Sequence, residues 1–333
     1  MKTINLKMFA LIAILTFGFT SCDDDDTTTA PVDNTITGIA SRDSNLTSLV
    51  AALDRAGLVS TLQGTGPYTV FAPTNAAFTT FLQQNGFANL EAVPVATLKE
   101  ILLNHVVSGA VQSTGLTNNT YIKTLGKGSA SATNTLSMYV NTTSGVRLNG
   151  VSSVITTTPG GTFNIIATNG VIHVVDAVIG LPTIVTHAAA NPNFSTLATV
   201  VTSTATNGNG FGDQTAVAAA LSDATTKTVF APTNAAFTAA TTGSGFAVGA
   251  TPAQVTKVLQ YHVTTAGNVL ASALTNGQVI PTITSPVQNL TINLTGGAKI
   301  NDTTTTPSNI IITDVQCSNG VIHAVDKVLQ PSL

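Results

Sequence analysis

The sequence predicts an α+β protein in which one domain of about 150 residues occurs twice in tandem. Three observations predict it. The eleven residues TVFAPTNAAFT stand at Thr69–Thr79 and again at Thr228–Thr238, 159 positions on. Helical periodicity fills the first half of each copy, and short β-type runs fill the second. Threonine outnumbers all charged residues about two to one in a chain only 8% charged. This β-branched residue suits a pleated, half-wet surface.

The N-terminus precedes the repeat. Lys2 and Lys7 flank the start of a twelve-residue apolar run, Met8–Phe19. As a helix it would span roughly 18 Å, short of the ~30 Å hydrocarbon core, so it reads as a secretory leader and not a membrane span. FTSC, ending at Cys22, resembles a bacterial lipobox. That resemblance implies cleavage before Cys22, acylation of its thiol and new amino group, and a membrane partner through the lipid anchor. An ordinary leader with an incidental Cys is the alternative. Asp23–Asp26 form a run of repelling, solvated carboxylates that lacks the alternating spacing of a calcium loop. The run resembles the acidic export signal of Bacteroidetes lipoproteins and implies an outer-membrane, surface-exposed location. The expected division is a leader at 1–21, an acidic, Thr-rich tether at 22–34, and domains at 35–182 and 183–333.

Within each domain the elements follow in order. Leu46, Leu49, Val50, Leu53 and Leu62 recur at helical spacing after Asp43 or Ser44 as caps. Phe194, Leu197 and Val201 are the counterparts. Tyr68–Phe71 reads as a strand stopped by Pro73; Thr74 then caps a helix from Asn75 whose Phe78 packs inward. Asn75 and Asn234 are expected to be structural hydrogen-bonders at this corner. Ala96–Val107 is apolar at helical spacing. Strands follow near Leu136, Val146, Phe163 and Val171, and LTINL, AKI, NIIITDV and VIHAVDKVL repeat that order. Asn169-Gly170 and Asn319-Gly320 signal turns before the last strands. The second copy inserts about eleven residues around Thr206–Thr215, and the boundary falls near Leu181-Pro182.

The shared TVFAPTNAAF, a His at the end of a helix about thirty residues on (His105, His262), and a closing NGVIH strand (His173, His323) together resemble the fasciclin-type domain. The three blocks occur in the family's order in both copies, from Thr35 to Pro331. The resemblance implies a wedge of two β-sheets with packed helices. It also implies adhesion, between cells or between cells and matrix; the expected reading is non-catalytic binding of matrix, polysaccharide or a cell-surface partner. Animal members carry a Tyr–His pair tied to receptor binding; Tyr261-His262 matches it, whereas the first copy has Asn104-His105, and a packed Tyr261 with its hydroxyl hydrogen-bonded is the other reading.

Other chemistries find little support. A net charge of −3 supplies no basic field, which argues against nucleic acid. No G-x-S-x-G, H-E-x-x-H or C-x-x-C occurs, and both Glu residues, Glu91 and Glu100, lie in copy one. GKG at Gly126–Gly128 is too short for a phosphate loop. No catalytic residue, metal or cofactor is expected. The four paired His residues read as structural groups, with a His–His metal contact as the open alternative. Asp176 and Asp326 sit three residues beyond His173 and His323, which on a strand places them on opposite faces. Cys317 is left as a lone, inert thiol on a strand. Binding of a glycan or small molecule for a surface complex is the alternative function. Asp26-Thr27-Thr28 and Asp302-Thr303-Thr304 resemble short O-glycosylation sites.

Overall fold

Each half begins with helices because its apolar residues recur every third or fourth position, and the turn between strand and helix fixes how they meet. The computed structural model describes residues 32–156, 163–204, 211–241 and 250–333. Cys22, Asp23–Asp26 and the leader lie outside the described residues.

Domain 1 runs α1 (Ile36–Arg42), α2 (Thr47–Arg55), α3 (Val59–Gln63), β1 (Tyr68–Pro73), α4 (Asn75–Gln84), α5 (Val95–Asn104), β2 (Val106–Ser108), β3 (Thr120–Lys127), β4 (Thr135–Asn141), β5 (Arg147–Leu148), β6 (Ser152–Ser153), β7 (Ile165–Ala167) and β8 (Gly170–Val175). Domain 2 repeats the plan: α6 (Ile184–Ala190), α7 (Ser195–Val201), α8 (Thr215–Ser222), β9 (Lys227–Pro232), α9 (Asn234–Thr241), α10 (Pro252–Tyr261), β10 (Val263–Thr264), β11 (Val279–Pro281), β12 (Asn289–Asn293), β13 (Lys299–Asn301), β14 (Ser308–Cys317) and β15 (Gly320–Val325).

The hydrogen-bonded order is β6-β5-β4-β3-β2-β1-β8-β7 in domain 1 and β10-β9-β15-β14-β13-β12-β11 in domain 2. The repeated strand lies parallel to the closing strand in both, Phe71 opposite His173 and Phe230 opposite His323. All other pairings between these strands are antiparallel. The two sheets of the wedge share a strand, β3 in domain 1 and β14 in domain 2, so each ladder is continuous and curled. The curl brings Val154, just after β6, back beside Val175 of β8.

One difference from the sequence expectation concerns Ala96–Val107. The helix stops at Asn104, and Val106 and Val107 enter β2. Their carbonyl and amide groups gain strand partners on β1, and the Phe71 N–H donates to His105 O at 2.9 Å. The apolar run continues because both elements are buried; periodicity cannot separate them.

Each domain holds two apolar clusters. One lies between helices and sheet and includes Leu49, Phe78, Leu102 and Ile172 in domain 1, and Leu197, Phe237, Leu259 and Ile322 in domain 2. The other fills the curl, with Phe71, Met138 and Leu148 in domain 1 and Phe230, Leu290 and Ile300 in domain 2. Burying each such side chain stabilises the fold by roughly 1.5–3 kcal/mol. Residues 33–333 form one compact unit, in which β3 and β4 of domain 1 face β14 of domain 2.

Candidate functional site

The duplicated residues gather most of the polar groups that the two domains share. At the strand–helix corner Thr74 accepts from the Ala77 N–H at 3.2 Å and caps α4. Asn75 beside it accepts from the Ser48 N–H at 2.8 Å and donates to Ser44 O at 2.9 Å. Asn234 does the same, accepting from the Thr196 N–H at 2.9 Å and donating to Pro192 O at 2.8 Å. Both asparagines tie the corner to the turn that opens the preceding long helix.

The helix-end histidines are buried and doubly bonded. His105 Nδ1 lies 2.7 Å from Ile101 O, and its Nε2 accepts from the Ile179 N–H at 2.8 Å. His262 Nδ1 lies 2.7 Å from Val258 O, and its Nε2 accepts from the Leu329 N–H at 2.9 Å. An Nε2 that accepts must be unprotonated, so the proton sits on Nδ1 and the ring is neutral. Burial holds both rings down to about 4.

The strand histidines use the opposite tautomer. His173 Nδ1 accepts from the Asn164 N–H at 3.3 Å, and Nε2 donates to Val111 O at 2.9 Å. His323 accepts from the Asp314 N–H at 3.3 Å and donates to Val269 O at 2.8 Å. Each ring also stacks on the phenylalanine opposite it, Phe71 at 5.5 Å and Phe230 at 5.7 Å. All eight ring nitrogens therefore face backbone groups, and no two of these histidines share a partner.

Asp176 and Asp326 belong to neither pair. Asp176 accepts from the Ser153 N–H at 2.6 Å and Asp326 from the Asn309 N–H at 2.7 Å, each stitching two strands together. Cys317 is buried, and burial pushes its thiol up. The hydroxyls of Thr303 and Thr304 bond to Gln330 O and Asp302. No group of three or more His, Cys, Asp or Glu able to hold a metal occurs among the described residues.

Tyr261 and His262 are not at the surface. Tyr261 is 1% exposed, its hydroxyl donates to Asn289 O at 2.8 Å, and burial pushes its pKa up to about 12. His262 is 3% exposed. The pair implied to bind a partner is instead packed where α10 meets the curl of the sheet. Asn104, which takes the tyrosine's place in domain 1, is equally buried and donates to Gly180 O at 3.0 Å.

Sequence reasoning passed over two further pairs. Thr69 donates to Gly109 O at 2.6 Å and accepts from the Val111 N–H at 2.8 Å; Thr228 does so with Gly267 and Val269. Asn169 and Asn319, read only as turn residues, clamp the first helix of their domain. They accept from the Ile36 and Ile184 N–H groups and donate to Leu62 O and Leu221 O. Their identity in both copies was the available signal.

The model of the Fasciclin domain family matches residues 44–182 and again residues 192–331. The chain belongs to the fasciclin family. Fasciclin domains are commonly adhesion-related and non-catalytic. An uncharacterized protein of Synechocystis sp., sll1735, is 33% identical over 144 residues, covering 43% of this chain and 96% of its own length. Protein sll1483 of the same organism is 34% identical over 154 residues, covering 45% and 74% respectively. Among solved structures, the FAS1 domain pair from the insect cell adhesion molecule Fasciclin I covers 84% of this chain and 92% of its own, at 18% identity and a TM-score of 0.45. Both fasciclin domains here thus bury their shared histidines and bond them to backbone groups.

Proposed function

We propose that the chain is a lipid-anchored, surface-exposed binding protein of a bacterial envelope, holding cells to matrix polymer or to a neighbouring surface through its two fasciclin domains. The observation that carries this reading is the inward engagement of every repeat-paired histidine, which supports a scaffold and not a reaction centre. The FTSC motif ending at Cys22 and the Asp23–Asp26 run support the anchor and its outward placement. No described helix is long and apolar enough to cross a membrane. Glycan binding as part of a surface complex is the second reading, favoured by a polar cleft discussed below.

The test uses cells carrying wild type or Cys22→Ala at matched expression. Wild type should fractionate with membranes, be shaved from intact cells by protease, and support adhesion to a polysaccharide-coated surface. Cys22→Ala should lose all three. Membrane retention and adhesion unchanged by Cys22→Ala would sink the proposal.

A further inference from the structure

We propose that the cleft around Arg147 binds a carboxylate-bearing oligosaccharide; the inference rests on the reading of the chain as a binding protein and names a site for it. Two cavities of about 680 and 560 Å³ share Arg147 and Gly150. The first lies between Asn119, Thr143 and Ser144 of domain 1 and Ala190 and Pro192 of domain 2. The second lies between Gln84 and Asn85 of α4, the Asn149–Val151 turn and Thr186. Each is of the size that holds a small ligand, and together they form a trough suited to an extended chain.

The trough has one cation and no lining carboxylate among the described residues. Arg147 Nε and Nη2 both donate to Gly150 O, at 2.9 and 2.6 Å. That holds the guanidinium against the β5–β6 hairpin and leaves Nη1 without a protein partner among the described residues. The hairpin is a tight Asn-Gly turn, with Asn149 at φ 49° and Gly150 at φ 69°, and the Val151 N–H donating to Leu148 O at 3.0 Å. A cation fixed in this way loses little freedom on meeting an anion.

A second, independent observation points to a ligand. Asn149 lines the trough and is 2% exposed; its Oδ1 accepts from the Tyr139 N–H at 2.7 Å, but its Nδ2 has no hydrogen-bond partner among the described residues. Buried donors left unmade are rare in folded proteins. The donor is itself buried, so a ligand oxygen meets it once the Asn149 side chain turns toward the trough.

The remaining polar lining is neutral: amides and hydroxyls. One positive charge amid many neutral hydrogen-bonding groups matches a sugar chain with a carboxylate among its hydroxyls. Domain 2 cannot form the same site. There Lys299-Ile300-Asn301 follow the β5 pattern, but Asp302 stands where domain 1 has Gly150, and its carboxylate bonds to the Gln330 N–H and pairs with Lys327 at 3.6 Å.

The full-length chain in detergent is titrated calorimetrically with octagalacturonate, a neutral galactose octamer and an octaglutamate peptide. Octagalacturonate should bind tightest. Arg147→Gln should weaken it at least tenfold. Ser144→Glu, at an exposed wall position where folding is not at risk, should do likewise, whereas Lys299→Gln in domain 2 should leave it unchanged. No binding of octagalacturonate, or equal binding to Arg147→Gln, overturns the proposal. Tighter binding of the peptide or of the neutral octamer overturns the assignment to acidic sugar. If Cys22→Ala cells lose adhesion while octagalacturonate fails to bind the wild type, this site falls and the adhesion reading stands.

Discussion

A histidine whose Nε2 accepts a backbone N–H tolerates a proton badly, because the lone pair would become a second N–H facing the donor. Burial holds His105 and His262 down to about 4, and the accepting Nε2 fits the neutral ring. His187 is held to about 3, first by burial and then by the charge of Lys123. It is packed edge-on against Tyr121 at 5.4 Å. Neither of its ring nitrogens has a hydrogen-bond partner among the described residues, the backbone of Ser137 and Gln316 facing the ring from outside bonding geometry. The unfolded chain takes up these protons near 6.5, the folded chain only near 4 or below. Stability is therefore complete above about pH 6.5 and falls as the pH drops toward 4, by on the order of 3 kcal/mol for each of His105 and His262. Urea unfolding followed by circular dichroism should show a flat midpoint between pH 7 and 9 and a steady decline from 6.5 to 4. His187→Phe should be no less stable at pH 7.5, since no hydrogen bond is lost, and should decline less in acid. A midpoint that holds from 6.5 to 4 would contradict the neutral-ring assignment. At this scale the four paired histidines were legible because repetition marked them. His187 was not, because it has no counterpart and its surroundings come from three distant strands.

At the level of elements, the TVFAPTN corner is a strand end, a capped helix start and an asparagine reaching back to an earlier turn. Asn75→Ala removes the bonds to Ser44 and Ser48 and should cost about 1–3 kcal/mol. Asn234→Ala should cost a similar amount, and unequal midpoint shifts in thermal melts of the two variants would show that the corners are not equivalent. Proline stop and Thr74 cap could be read from eleven letters because both depend on neighbours within four positions, and the strand from its β-branched and aromatic run. The clamp at Asn169 could not, since its partners Ile36 and Leu62 lie more than a hundred residues earlier. The β2 strand was hidden for a different reason: a buried strand that directly follows a buried helix leaves no polar break in the sequence. The Arg147–Gly150 hairpin carried an Asn-Gly turn signal, yet nothing local said that α4 and domain 2 would wall it in.

For the molecule as a whole, the decisive contacts join the two domains. Lys123 donates to Asp314 O at 2.9 Å and to Ser137 Oγ at 3.0 Å, while Ser137 Oγ accepts from the Gln316 N–H at 3.0 Å. Asn191 donates to the Tyr121 hydroxyl at 3.1 Å, and the Ala130 N–H to Ser318 O at 2.9 Å. The glycines of Gly126–Gly128 are explained by close approach: a Cβ on Gly128 would stand 2.3 Å from Ser318 Cα, and one on Gly126 would stand 2.7 Å from Asn104 N. Gly128→Ala should loosen the junction, seen as faster proteolysis between the domains and a larger radius in X-ray scattering. Gly180→Ala, where a Cβ meets nothing, should do neither. Equal behaviour of the two variants would show that the Ser318 contact does not hold the domains together. None of this arrangement was legible, because it pairs residues 70 to 191 positions apart. The same junction also has a direction. Domain 1 contributes β3 and β4, and domain 2 contributes β14, so the two copies use different faces of a common plan. The domain 1 segment equivalent to the end of β14 is β7, which closes its sheet with Ile166 60% exposed, and the domain 2 equivalent of β3 is β11, an edge strand with Val279 exposed. A contact between unlike faces has no two-fold axis and so does not end at a pair. Gene duplication could therefore lengthen such a protein one module at a time, in a single polarity, whereas a two-fold symmetric joint would have ended growth at a pair.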